Sequence, residues 1–171
     1  MSARVGFGSD IHRLEAGNGL WLGGILIPCS YQAVAHSDGD ALLHALVDAI
    51  IGALGQGDIG DHYPESKTTP GEASSRFVRE VVATSKSEGW RFANVDMVID
   101  LENPRLAEWK EKIRQNIAAL LGIEKELVNI KAKTREGIGA VGKGKAVSAQ
   151  AVVLLERRGD TKARDKQSIF P

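Results

Sequence analysis

The stretch from His36 to Gly57 constrains the fold more than any other part of this sequence. Leu42, Leu43, Leu46, Val47, Ile50, Ile51 and Leu54 recur at helical spacing and make an apolar face too wide to leave in water. Such a helix needs a sheet or other helices to lie on. Ser37 or Asp38 is placed to cap it, and Gly55-Gln56-Gly57 to stop it. One flank interrupts the apolar pattern, because Asp40, His44 and Asp48 fall at successive turns. Asp and His are weak helix formers, and a stripe kept only for solubility more often uses Glu, Lys and Arg. The stripe therefore asks for a local reason.

A divalent cation supplies one. Near the N-terminus, Val5-Gly6-Phe7-Gly8 runs into Asp10-Ile11-His12, which reads as a strand. Residues two apart on a strand point to the same side, so Asp10 and His12 project together. With His44 they make one carboxylate and two imidazoles, a set that leaves a tetrahedral Zn²⁺ with one open position. An isolated Asp-x-His pair or a lone helical histidine is a weak signal. Here His36, Ser37, Asp38, Asp40, His44 and Asp48 crowd around one helix start, as ligands and the groups that orient them would.

The remaining elements follow from pattern and punctuation. Leu20-Trp21-Leu22, Gly23-Gly24 and Ile25-Leu26-Ile27 read as a hairpin ended by Pro28. A long loop is expected from Asp58 to Pro64, running into a polar stretch from Glu65 to Ala73, with the whole of 61–75 able to close over a ligand. Ser74 to Glu88 reads as a helix with Phe77, Val81 and Val82 inward, and Phe92 to Leu101 as a strand. Pro104 is placed to start a third helix, with Leu106, Trp109, Ile113, Ile117, Leu120 and Leu121 inward and Gly122 at its end. Val128 to Lys133 is a strand, Gly137 to Gly144 a glycine-rich loop, and Ala146 to Leu155 a strand apolar enough to be central. The fold class is α+β: a single domain, one mixed β-sheet, and helices packed on one face. Residues 1–156 are assigned to this domain and 157–171 to a polar C-terminal tail without periodicity.

Composition narrows the partners. With 22 basic and 22 acidic residues the net charge is +0, so no global field draws the chain to nucleic acid or to a membrane surface. An anionic ligand must be held by local groups. Cys29 is the single cysteine, which excludes an internal disulfide and a cysteine-based zinc site. No apolar run reaches membrane-spanning length, and Met1 leads almost directly into the first strand, so a cytoplasmic location without a targeting segment is expected.

Three motifs in this order resemble a known family. They are Gly-x-Gly-x-Asp-x-His from Gly6 to His12, His-Ser-Asp-Gly-Asp-x-x-x-His-Ala-x-x-Asp-Ala from His36 to Ala49, and Gly-Asp-Ile-Gly-x-x-Tyr-Pro from Gly57 to Pro64. Their order and spacing are similar to those of the 2-C-methyl-D-erythritol 2,4-cyclodiphosphate synthases of the non-mevalonate isoprenoid pathway, from about Arg4 to Leu155. The resemblance implies a lyase that converts 4-diphosphocytidyl-2-C-methyl-D-erythritol 2-phosphate to 2-C-methyl-D-erythritol 2,4-cyclodiphosphate and releases CMP. It implies a homotrimer with active sites between subunits. Asp10, His12 and His44 correspond to Zn²⁺ ligands, and Glu136 to the ligand of a second cation, Mg²⁺ or Mn²⁺. His36 and Ser37 correspond to residues on the substrate's phosphates and methylerythritol part, Asp58 and Gly60 to the loop on its hydroxyls, and Asp48 to a carboxylate beside His44. Thr134 corresponds to a phosphate contact. Asn103, Pro104, Arg105 and Leu106, with Ala132 and Lys133, correspond to a cytidine pocket that serves the neighbouring subunit's zinc.

The implied reaction suits these residue types. An ionised 2-phosphate oxygen attacks the β-phosphorus and CMP leaves, so no general base is needed; neutralising and orienting two anionic groups is the main task. Two departures stand out. Lys133-Thr134-Arg135-Glu136 replaces a commoner run of threonines, and Arg135 reads equally as a phosphate donor and as solvated charge at a strand end. Gly142-Lys143-Gly144-Lys145 stands where many members have Gly-Arg-Gly-Glu, a stretch linked to isoprenoid diphosphate binding in the trimer's central channel. The first lysine lacks the guanidinium fork and the second reverses a charge. Two other readings stay open on the sequence: a mononuclear zinc hydrolase with Asp40 or Asp48 as general base, and a cytidine-nucleotide sensor without turnover.

Overall fold

The computed structural model describes residues 2–157, so the expected tail lies outside the described residues except for Arg157. Its framework is a five-stranded sheet. Strand β1 (Ser2–Ala16) pairs antiparallel with β7 (Ala146–Arg157) over a register running from Ser2↔Arg157 to Arg13↔Ala146. On the outer side of β1 lies the short β4 (Tyr31–Val34). Beyond β7 come β5 (Arg91–Asp100), antiparallel to it, and β6 (Val128–Lys133), parallel to β5. The order β4-β1-β7-β5-β6 is therefore a mixed sheet with β7 central, as its apolar run implies. The hairpin β2 (Leu20–Leu22) and β3 (Ile25–Ile27) forms a separate ribbon.

Helices cover one face. The first, α1 (Ala41–Leu54), lies on β1 and β7; α3 (Ser74–Ser87) packs on α1; and α4 (Lys110–Leu121) packs on β6 and α3. Alternation sorts the strand residues as the pleat requires: Val95, Met97 and Ile99 of β5 and Val147, Ala149, Ala151 and Val153 of β7 are buried under the helices. On β1 the same face carries Gly6, Gly8, Asp10 and His12. The two glycines let α1 approach, because a Cβ at Gly6 would lie 1.8 Å from the Ala49 carbonyl oxygen. The opposite sheet face carries none of α1, α3 and α4, and it leaves Val5 (68% exposed), Phe7 (62%) and Ile11 (59%) open.

Several boundaries differ from the sequence expectation. Helix α1 starts later than Ser37 or Asp38: Asp40 is its N-cap, with the carboxylate accepting from Leu43 N at 3.0 Å. The segment 58–64 contains a one-turn helix, α2 (Ile59–His62), closed by a capping box between Asp58 and Asp61. Pro104 does not start a helix. Residues 102–109 form turns that bury Leu106, whose carbonyl accepts from Trp109 N and Lys110 N, and α4 begins only at Lys110. The glycine-rich loop holds a second single turn, α5 (Gly139–Gly142). Strand β4 had no signal of its own, being three half-buried residues and one exposed on a sheet edge.

Candidate metal centre and active site

The close packing of α1 on β1 sets three side chains against one another. Asp10 Oδ2, His12 Nε2 and His44 Nδ1 lie at the corners of a nearly equilateral triangle, 3.0 Å from Asp10 to His12, 3.1 Å from Asp10 to His44 and 3.1 Å between the imidazole nitrogens. The edge of a tetrahedron with metal–ligand bonds near 2 Å is about 3.3 Å, so the spacing fits a single divalent ion. The donor set, two imidazoles and one carboxylate, suits Zn²⁺ in particular. Burial raises the Asp10 carboxyl, but hydrogen bonds to His12 and His44 and their charges outweigh it, holding the group well below the ordinary carboxylate range and ready to ligate.

The rest of the polar cluster divides by role. His44 Nε2, the nitrogen turned away from the triangle, lies 2.8 Å from Ser74 Oγ and 3.1 Å from Ser37 Oγ. Asp40 does not face the triangle: its carboxylate accepts from Gly23 N (2.9 Å) and Gly24 N (2.6 Å) and ties the β2–β3 turn to the helix start. Burial pushes its carboxyl up against the hydrogen bonds from these amides and from Leu43. Asp48, expected beside His44, accepts from Ile59 N at 3.2 Å and anchors α2. Asp40, fully buried and accepting from three backbone amides, offers no free carboxylate as the general base of a zinc hydrolase.

The triangle opens on a cleft of about 320 Å³ bordered by His12, His44, His36, Ser37, Gly60 and an aromatic wall of Tyr63 and Phe77. Those two rings stack with centroids 4.4 Å apart. His36 Nε2 lies 3.1 Å from the Thr68 carbonyl, and Gly71 N donates to the His36 carbonyl at 2.7 Å, so this residue fastens the 64–73 segment to the cleft rim. Asp58 is outside the lining; its carboxylate accepts from Asp61 N as a helix cap.

A second pocket, about 160 Å³, lies between the ends of β5 and β6 and the turns that follow. Arg105, Leu106, Ala132, Lys133 and Thr134 line it; Asn103 and Pro104, joined by a cis peptide, do not. Glu136 stands just beyond, exposed, with φ 52° and its carboxylate accepting from Thr134 Oγ1 at 3.3 Å. It is apart from the triangle. Arg135 is half exposed at the strand end, but its charge is paired rather than free. Its Nη2 donates to Asp100 Oδ2 at 2.6 Å, and its backbone N to Glu102 at 3.1 Å. Asp100 is 2% exposed on the uncovered sheet face and also accepts from Ser148 and Gln150, so Arg135 neutralises a buried carboxylate.

Sequence reasoning missed Phe77 as part of the cleft wall and Ser74 as a contact of His44 beneath it. Ser74 reads as an ordinary helix-start serine and Phe77 as core; their approach to His44 depends on how α3 docks on α1. Tyr63, read as a loop residue, joins the wall by stacking on Phe77.

A carboxylate and two imidazoles at ligand spacing, beside an open cleft on an α+β sheet, define a candidate divalent-metal protein. The chain belongs to the YgbB family, which it matches over residues 3–156. A 2-C-methyl-D-erythritol 2,4-cyclodiphosphate synthase of Treponema denticola is 48% identical over 153 residues, covering 89% of this chain and 95% of the relative. The chloroplastic synthase of Arabidopsis thaliana is 44% identical over 156 residues, covering 91% of this chain and 68% of the relative. Among solved structures, the Plasmodium falciparum IspF–CDP complex superimposes with a TM-score of 0.82 at 32% identity, covering 92% of this chain and 97% of that one. The bifunctional IspDF of Campylobacter jejuni gives 0.87 at 31% identity, covering 92% of this chain and 43% of that longer one.

Proposed function

We propose that this chain converts 4-diphosphocytidyl-2-C-methyl-D-erythritol 2-phosphate to 2-C-methyl-D-erythritol 2,4-cyclodiphosphate and releases CMP. The observation that carries the reading is the triangle of Asp10, His12 and His44 beside an open cleft in a YgbB-family chain. In the reaction a 2-phosphate oxygen forms a bond to the β-phosphorus, and the bond from that phosphorus to the CMP oxygen breaks. A bound divalent ion supplies charge neutralisation and polarisation of the phosphoryl group. The protein's own task is placement. His36, Ser37 and Gly60 hold the methylerythritol and phosphate portion from the cleft lining, with Asp58 beside them at the cap of α2. Arg105, Leu106, Ala132, Lys133 and Thr134 hold the cytidine and its phosphates in the pocket they line, with Asn103 and Pro104 in the turn that leads into it. The Tyr63–Phe77 wall keeps water from one side of the cleft.

The proposed cations are Zn²⁺ on the triangle and Mg²⁺ or Mn²⁺ on Glu136 and the substrate phosphates, since one carboxylate plus phosphate oxygens suits a hard ion. A homotrimer completes the site. Within one chain the cleft and the cytidine-type pocket sit on β1 and β6, three strand spacings or about 14 Å apart, and a neighbouring chain is proposed to bring its own pocket to the cleft. The exposed Val5, Phe7 and Ile11 on the uncovered sheet face support such assembly. A cytoplasmic location is part of the proposal, and the free thiol of Cys29 suits a reducing compartment.

Incubation of the chain with the diphosphocytidyl substrate, Zn²⁺ and Mg²⁺ tests the reading. CMP and a cyclic diphosphate are the expected products. A linear phosphate product, or CMP binding without turnover, would overturn it. His44→Ala is expected to lose both zinc and turnover, read by metal analysis alongside product formation.

A further inference from the structure

The metal reading leaves one buried arrangement unused. Ser74 is fully buried at the first position of α3, yet it does not cap that helix: the N-cap is Ala73, with no side-chain bond. Its hydroxyl lies 2.5 Å from Asp38 Oδ1 and 2.8 Å from His44 Nε2, and its backbone N donates to Asp38 Oδ2 at 3.0 Å. Asp38 is held in turn, with Oδ1 accepting from Asp40 N at 3.2 Å and its own N donating to the Glu72 carbonyl at 3.0 Å.

Proton bookkeeping gives this chain a direction. An ionised carboxylate only accepts, so the single hydroxyl proton of Ser74 goes to Asp38. Ser74 Oγ then has only lone pairs for His44, so the 2.8 Å contact calls for the proton on His44 Nε2, with Ser37 Oγ at 3.1 Å as a second acceptor for it. That leaves the lone pair of the neutral ring on Nδ1, the atom that points at Asp10 and His12. A ligating histidine whose far nitrogen donates to a carboxylate, directly or through a hydroxyl, is fixed in tautomer and orientation, and its basicity rises.

We infer that Ser74 and Asp38 are positioning residues of the metal site, acting as a His44–Ser74–Asp38 relay that presents His44 Nδ1 to the ion. This rests on the metal reading of the triangle. The relay also explains why a serine with no capping role is buried where α3 meets α1. It ties the ligand to the far end of the 64–73 segment, so the cleft rim and the metal share one hydrogen-bonded support.

The test measures zinc itself rather than turnover. Zinc affinity is determined by competition with a chromophoric chelator for the parent chain, Ser74→Ala, Asp38→Asn, Ser74→Thr and His44→Ala. Ser74→Ala and Asp38→Asn are expected to bind zinc about 10- to 100-fold more weakly than the parent, and Ser74→Thr, which keeps the hydroxyl, to stay close to it. In the zinc-loaded parent, ¹⁵N spectra of the imidazoles are expected to show His44 protonated on Nε2, a signature that stands even where a variant fails to fold. Parent-like zinc affinity in folded Ser74→Ala, or a His44 protonated on Nδ1, would overturn the relay while leaving the metal site intact. A parent that binds zinc no better than His44→Ala would overturn the metal reading and the relay with it.

Discussion

Gly8 lies against Ala45 so closely that a methyl group on it would sit 2.2 Å from the Ala45 carbonyl oxygen and 2.5 Å from Ala49 N. Both obstacles are helix backbone, which cannot turn aside as a side chain can. Gly8→Ala must therefore lift α1 from β1, and with it His44 from Asp10, two residues further along the strand. The expected loss is about 3 kcal/mol of stability together with weakened zinc binding, read by denaturant unfolding and metal analysis. A variant with parental stability and zinc content would show that the α1–β1 spacing does not set the triangle.

Much of this was legible beforehand, and the boundary has physical causes. Asp10 and His12 share a face because strand side chains alternate, and His44 meets them because the apolar face of α1 can be buried only on the sheet. Asp40 was misread because a buried cap and a ligand look alike as one polar residue at the same helical turn; the Gly23 and Gly24 amides that claim it come from a hairpin 16 and 17 residues upstream. Ser74 lies 30 residues from His44 and 36 from Asp38, and Arg135 lies 35 from Asp100. Local pattern carries no information about pairs that meet only after helices and strands have docked.

Glu136 holds a left-handed backbone conformation rare for a residue with a side chain, at a position where a glycine would be unstrained. Its carboxylate is exposed and accepts only from Thr134 among the described residues. Glu136→Gln keeps the shape and removes the charge. Zinc content is expected to stay at the parental level while the Mg²⁺ concentration needed for half-maximal turnover rises. An unchanged Mg²⁺ dependence would remove Glu136 from the second cation site.

Tyr63 gives the cleft wall an alkaline limit. Burial first, then the Glu80 carboxylate, pushes its hydroxyl up to about 12 from an ordinary 10.0, with Arg76 opposing. The folded chain thus holds this proton more tightly than the unfolded chain. The neutral phenol contributes its stability fully below about pH 10 and loses it as pH rises toward about 12. Relative to Tyr63→Phe, the parent is expected to lose stability across that window and not below it. Parallel pH profiles of the two unfolding midpoints would refute the assignment.

The uncovered sheet face is the place where assembly can be separated from metal binding. Phe7 is exposed there beside Val5 and Ile11, while Asp10 and His12 point through the opposite face of the same strand. A charge at position 7 therefore meets any neighbouring chain but not the triangle, and because Phe7 packs little within one chain, folding should be spared. Phe7→Asp is expected to reduce the solution mass from that of the proposed trimer to that of a monomer in light scattering, to keep its zinc, and to lose turnover, because the cytidine-type pocket would then be supplied by no neighbour. A Phe7→Asp chain that is monomeric and fully active would place the whole site within one subunit. One that retains the parent's mass would place the interface elsewhere than on this sheet face.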